Sequence, residues 1–197
     1  MIAAFTFPLS QFDGQELGAY VRAVKAYPTI AHYSGSLPEV ASSLGMGKNE
    51  LAEFIIRGAA RDTALIWNAG VIHMGHLHEQ NIRLGSVTDF TSSSYVRDAG
   101  FSALSMDAAT LVLSAQNIMG KLSGEKGNWR AARGIIREEL NARLGLGLPE
   151  NAGTATIAAR AYELQRARGL TNPNENVEIS QEGRGSVALN LAYVASF

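Results

Sequence analysis

Apolar side chains recur every three or four positions along most of the chain, which is the spacing of amphipathic helices. This spacing predicts helices over 15–27, 36–44, 106–119, 129–144 and 154–168. The most apolar long stretch runs from Lys48 to about Arg83 and contains Gly70 and Gly75. It predicts either one central core helix or two helices broken near these glycines.

Residues with known preferences for helix ends mark the limits of these segments. Ser105 and Asn128 precede two of them, and each can accept a backbone N–H of the first turn as an N-cap. Gly120, Gly145 and Gly169 follow three of them, at the position where glycine commonly ends a helix in the left-handed conformation. We therefore predict that each helix begins and ends at these residues.

Both ends of the chain alternate between apolar and polar residues, as strands do. Residues 2–7 alternate up to Pro8, and residues 186–197 alternate after a turn at 182–185, which predicts a C-terminal hairpin. Because an isolated hairpin is marginal in water, its apolar face should pack on the helices or on another subunit. The residues of that face are Val187, Leu189, Leu191, Tyr193 and Phe197.

The order of these elements predicts a mainly α fold with a small β element (α+β). We expect a bundle-like helical core domain over 1–170 that includes the N-terminal strand, and a C-terminal β-hairpin unit over 171–197. Residues 85–103 have weak periodicity and many serines and threonines. They predict a long surface loop with room for one strand.

The composition narrows the class of protein. Of the 197 residues 46% are hydrophobic and 18% are charged, which is a low charged share and favours surface buried against partners. Cysteine is absent, so disulfides, thiolate metal sites and cysteine nucleophiles are excluded. The first residues lack a basic signal-peptide region, and no long uninterrupted apolar window occurs. We expect a soluble, non-secreted protein of the cytoplasm or of a virion.

Charge is distributed unevenly along the chain. Residues 121–168 carry nine basic and five acidic side chains, a net charge of +4, although the whole chain has a net charge of −1. This excess is far below that of strongly basic nucleic-acid-binding surfaces. The pattern includes Arg130, Arg133 and Arg137 opposite an apolar stripe, and we interpret it as a solvated helix surface.

Three of the four histidines fall close together as His73, His76 and His78, with Glu79 beside them. On a helix His73 and His76 would be neighbours, but His78 would project elsewhere. A zinc site needs three or four convergent ligands, and the spacing of known zinc motifs is absent. We expect a surface or interface cluster that binds no metal, with a metal-dependent enzyme as an alternative.

Residues 37–57 resemble a helix-turn-helix. Ala41 is small, Gly45 follows four positions later in the turn, and Leu51 lies six positions beyond it. Glu50 and Glu53 lie where DNA phosphates would approach, and the chain is slightly acidic. The resemblance implies that the DNA groove would be faced by Lys48, Asn49, Glu53 and Arg57.

The sequence carries no recognisable enzyme motif. The segment 45–48 lacks the preceding glycine and the following Ser or Thr of a phosphate-binding loop. No G-x-S-x-G segment occurs, and the adjacent Glu138 and Glu139 face differently on their helix. We therefore expect a non-enzymatic structural subunit of a homo-oligomeric assembly without a cofactor, and a viral or phage shell is one concrete form. A helix-turn-helix regulator and a metal-dependent enzyme are the alternatives.

Overall fold

The computed structural model describes residues 37–84, 86–87, 90, 93–123, 129–175 and 177. This part of the chain is mainly helical with two small antiparallel sheets, which confirms the predicted mainly α class. The predicted strand at 2–7, the helix at 15–27, and the turn at 182–185 and strand at 186–197 of the predicted hairpin lie outside the described residues. The proposed interface residues Val187, Leu189, Leu191, Tyr193 and Phe197 also lie outside them. The division into two domains remains a prediction.

Five α-helices make up most of the described part, and none of them is long and apolar enough to cross a membrane. The helices are α1 Leu37–Ser43, α2 Lys48–Asn68, α3 Val96–Ser123, α4 Trp129–Leu144 and α5 Thr154–Ala167. Between α2 and α3 lie the strands β1 Val71–Ile72, β2 Ile82–Arg83, β3 Ser86–Val87 and β4 Ser94–Tyr95, with a 3₁₀ turn at Glu79–Asn81. Strand β1 pairs with β4, and β2 pairs with β3, both antiparallel.

Helix α2 lies at the centre of the core. It packs against both α3 and α4, while α3 also packs against α5. Most of its large apolar side chains are buried, although Phe54 is exposed, and Ala59, Ala60 and Ala64 are also buried. Since alanine has a small side chain, these positions let the neighbouring helices approach closely. The largest buried side chains of α2 are Leu51, Ile55, Ile56 and Trp67.

The apolar stretch is a single core helix in its first part only, so neither alternative describes it as far as Arg83. Helix α2 ends at Asn68, and Gly70 adopts a left-handed φ of 72° before strand β1 begins at Val71. A single core helix is therefore followed by a turn and a short strand. The stretch does not form a second helix before Arg83.

Three predictions about α3 and the region before it are wrong. The region 85–103 is not one long loop, because β3, β4 and the first turn of α3 lie within it. Helix α3 begins at Val96, so Ser105 is inside the helix and is not its N-cap, and the helix continues past Gly120 to Ser123. The last two helices agree with the sequence pattern: α4 covers 129–144 as predicted, and α5 ends one residue before the predicted Arg168.

Candidate functional site

The segment 73–77, which follows β1 and contains His73 and His76, forms hydrogen bonds with polar side chains of helix α3. Asp107 accepts hydrogen bonds from the backbone N–H of His73 and of Gly75, both at 2.6 Å. Ser114, two turns further along α3, donates its hydroxyl to the backbone carbonyl of Leu77 at 2.7 Å. The segment 73–77 is therefore held against α3 through its backbone groups.

Asp107 is the most buried carboxylate of the described residues, with no exposed surface. It also accepts a hydrogen bond from the indole N–H of Trp67 at 3.3 Å, so three donors from α2 and the following turn converge on it. Burial raises the pKa of Asp107, while the hydrogen bonds from Gly75, His73 and Trp67 lower it. Because its two oxygens accept three hydrogen bonds, two of them from backbone N–H groups, this carboxylate positions the backbone at His73 and Gly75.

The three clustered histidines do not converge on a common point. The ring of His73 is buried and packs edge-on against Phe90, with ring centroids 4.9 Å apart. The rings of His76 and His78 are half-buried, and their centroids lie 5.7 Å apart. Glu79 forms an ion pair with Lys121 of α3. Within the described ranges no group of three histidine or acidic side chains could hold a metal ion.

A second buried carboxylate lies on α2 and fastens strand β3. Asp62 accepts a hydrogen bond from the backbone N–H of Val87 at 2.9 Å, and its other oxygen faces the guanidinium of Arg61 at 3.1 Å. Burial raises the pKa of Asp62 to about 6, although Arg61 and the Val87 N–H lower it. The carboxylate therefore connects the helical core to the small sheet and titrates at an unusually high pH.

The residues of the helix-turn-helix resemblance lie on α1, α2 and the turn between them. Ala41 and Leu51 are buried and Gly45 has a φ of 66°, as that resemblance expects. Lys48 and Asn49 are exposed at the start of α2. Arg57 lies about two turns further along the same helix, and its surroundings differ from those of the other two.

The guanidinium of Arg57 is surrounded by carboxylates. It contacts Glu53 on its own helix at 2.7 Å, and Glu138 and Glu139 on α4 at 2.9 and 3.2 Å. The hydrogen bond to Glu138, together with those to Glu53 and Glu139, raises the pKa of Arg57. A DNA phosphate at Arg57 would have to compete with three carboxylates, so the structure brings Lys48, Asn49 and Arg57 onto one helix without giving them a common positive surface.

Two clefts flank helix α4, and Gly134 lines both of them. One, of about 400 Å³, contains Arg57 together with Glu53 and Glu138, so its charges are largely paired. The other, of about 640 Å³, lies between α4 and the loop before α5. Its lining includes Arg130, Arg133 and Arg137 and can accommodate an anion.

Sequence reasoning missed two features of these sites. The predicted helix over 106–119 places Asp107 in its first turn, whereas the observed helix begins at Val96. Its place three residues after the buried Leu104, on the apolar side of α3, was the available signal. The arginine cleft was interpreted as a solvated surface, because the loop at 150–152 that forms its other wall cannot be located from helical spacing.

No protein-family model, no curated protein and no solved structure matches this chain.

Proposed function

We propose that this chain is a non-enzymatic subunit of a homo-oligomeric assembly. The observation that supports the proposal is an exposed apolar face on α3. Met106 and Leu113 on this helix are 57% and 56% exposed, and Met74 beside them is 37% exposed. Isolated exposed apolar side chains are common on monomers, but a contiguous group of long ones is typical of an interface.

Met106 and Leu113 belong to one face of α3 because of their spacing. Met106 and Leu113 are seven residues apart, which is two helical turns, so they project from the same side of α3. Ala109, between them, is also exposed. The turn at 74–75 lies against this side, since a Cβ added to Gly75 would be 3.2 Å from the terminal methyl group of Met106. The face is therefore mainly apolar over about two turns, and Thr110 is its polar member, with its hydroxyl donated to the backbone carbonyl of Met106.

A second copy of the chain is the partner that this face fits. In a two-fold contact the same helix face packs against itself, so one apolar stripe buries another without needing a complementary surface. The net charge of −1 also opposes association only weakly. A viral or phage shell is one assembly built from such contacts. The predicted apolar strand at 187–197 would provide a second contact.

The experiment compares Leu113→Glu with Leu44→Glu by size-exclusion chromatography and light scattering at several protein concentrations. Leu44 is 50% exposed and follows α1, outside the Met106–Leu113 face, so it is a matched control. We expect the parent and Leu44→Glu to associate and Leu113→Glu to shift to smaller species, because a charge on the face opposes its burial. A parent that is monomeric at every concentration would overturn the proposal.

A further inference from the structure

Helix α4 presents a row of arginines to the larger of the two clefts. Arg130, Arg133 and Arg137 are spaced by three and four residues, so they lie on one side of the helix over about 10 Å of its length. The loop that precedes α5 forms the opposite wall with Glu150, Asn151 and Ala152. The result is a concave surface with three guanidinium groups along one wall.

Most other arginines in the described part of the chain have a carboxylate partner, whereas these three have none among the described residues. Arg57, Arg61, Arg143 and Arg160 each lie within ion-pair distance of a glutamate or aspartate. No described carboxylate lies that close to Arg130, Arg133 or Arg137. Glu150 lines the cleft, and its backbone carbonyl, not its carboxylate, accepts the hydrogen bond from Arg137 at 2.8 Å. The positive charge of the cleft is thus not neutralised by the described chain around it.

The position of this charge is unfavourable for the helix itself. Arg130 lies in the first turn of α4, which contains no acidic residue, and Arg133 lies one turn further on. The N-terminal end of a helix carries a partial positive charge, so cations there destabilise it slightly. The same end favours an anion, and three nearby guanidinium groups favour it further. The arrangement is better suited to a bound anion than to an empty solvated face.

An exposed aromatic ring lies at the end of this row. Trp129, the first residue of α4, is 57% exposed, and its backbone carbonyl accepts a hydrogen bond from Arg133 at 3.4 Å. An indole ring beside arginines is the combination with which proteins bind single-stranded nucleic acids: guanidinium groups contact the phosphates and a base stacks on the ring. A duplex keeps its bases stacked and offers none to Trp129.

We propose that the cleft lined by Arg130, Arg133 and Arg137, together with the exposed Trp129 at the start of α4, binds the backbone and a base of single-stranded nucleic acid. The three guanidinium groups are arranged in a row, so they fit consecutive phosphates of a chain better than one isolated phosphate. This surface is separate from the helix-turn-helix residues Lys48 and Asn49 on α2. It is also separate from the Met106–Leu113 face, so nucleic-acid binding and self-association can be tested independently.

The test measures fluorescence anisotropy of labelled oligothymidylate and oligouridylate with the full chain across a salt series. The parent is compared with Arg130→Gln/Arg133→Gln and with Arg160→Gln/Arg166→Gln, a control that removes the same charge from α5. We expect the first variant to bind at least about tenfold more weakly and to lower the slope of log affinity against log salt by about 1.4, which is the loss of two phosphate contacts. The control should bind like the parent.

A second measurement separates nucleic acid from other polyanions. Trp129→Leu should weaken binding of the oligonucleotides without changing the salt slope, and it should abolish the quenching of tryptophan fluorescence by the oligonucleotide, because the other tryptophan, Trp67, is fully buried. Inorganic polyphosphate and a duplex of the same length serve as probes. The proposal is overturned if the parent does not bind at low salt, if both double variants lose affinity equally, or if duplex or polyphosphate binds as tightly as the single strand.

Discussion

Asp62 and Asp107, which lie on predicted helices, are both buried. Each accepts one or more hydrogen bonds that hold a different connecting segment against the helical core. Asp107 holds the turn after β1, and Asp62 holds strand β3. Helical spacing indicates which side of a helix each residue occupies. It does not indicate which backbone N–H groups, 25 to 34 residues away in the sequence, will reach the carboxylate. The roles of these residues could therefore not be predicted, although their helices were.

Burial of Asp62 makes the stability of the protein depend on pH. Its pKa in the folded chain is about 6, above the ordinary 3.8, so the folded state holds this proton more tightly than the unfolded state. The free energy of unfolding should therefore fall as pH rises from about 4 to about 6, by up to roughly 3 kcal/mol from this group. Chemical denaturation of the parent and of Asp62→Asn at several pH values measures the contribution.

The comparison isolates Asp62, because the buried Asp107 keeps its raised pKa in both proteins. Asp62→Asn should show a flatter profile between pH 4 and pH 6 than the parent. Identical profiles for the parent and Asp62→Asn would contradict the assignment of the raised pKa to this residue.

At the scale of elements, helix α3 is interrupted at Gly100, whose φ of 76° and ψ of −174° are not helical. The helix resumes at Phe101, and the backbone N–H of that residue donates to the carboxylate of Glu175 at 2.8 Å. The other oxygen of Glu175 accepts a hydrogen bond from the hydroxyl of Tyr162 at 2.7 Å, and burial together with this contact raises the pKa of Tyr162. A residue far along the chain therefore acts as the cap that the sequence pattern assigned to Ser105.

This interruption explains why some boundaries could be predicted and others could not. Helices α4 and α5 are followed by Gly145 and Gly169, which have φ values of 65° and 70°, so the signal for each end is local. The resumption of α3 after Gly100 depends on Glu175, which is 74 residues from Phe101. Local capping preferences cannot register such a contact, and the serines and threonines before α3 indicated a loop instead.

The conformation at Gly100 leads to a prediction with a control on the same helix. A Cβ at Gly100 would lie 2.5 Å from a carboxylate oxygen of Glu175, and the φ there is unfavourable for any other residue. Gly100→Ala should lower the free energy of unfolding by about 2–3 kcal/mol, from backbone strain and loss of the cap. Gly120→Ala, whose Cβ meets nothing within 4 Å, should raise it by about 0.5–1 kcal/mol. Denaturant unfolding of both variants measures the difference, and a Gly100→Ala protein as stable as the parent would contradict the cap.

At the scale of the whole molecule, the two proposed functions depend on different interactions at different surfaces. Self-association depends on apolar burial, and nucleic-acid binding depends on charge. Apolar burial at the Met106–Leu113 face should hardly respond to salt, whereas phosphate contacts at Arg130 and Arg133 should weaken steeply as salt rises. One preparation can therefore report on both surfaces. Association that persists at high salt while oligonucleotide is released would agree with an assembly subunit that also binds nucleic acid.

The last prediction concerns the C-terminal strand, which lies outside the described residues. The alternation over 186–197 places Leu191 on the apolar face and Asn190 on the opposite one. Leu191→Asp would bring an unpaired charge into an apolar layer and should destabilise folding or assembly by several kcal/mol, while Asn190→Asp should behave like the parent. Light scattering and thermal unfolding at low and high salt distinguish the two effects: loss of assembly at an unchanged melting temperature indicates an intersubunit strand, and a lowered melting temperature indicates packing on the same chain. If Leu191→Asp melts and assembles like the parent, the strand prediction is wrong.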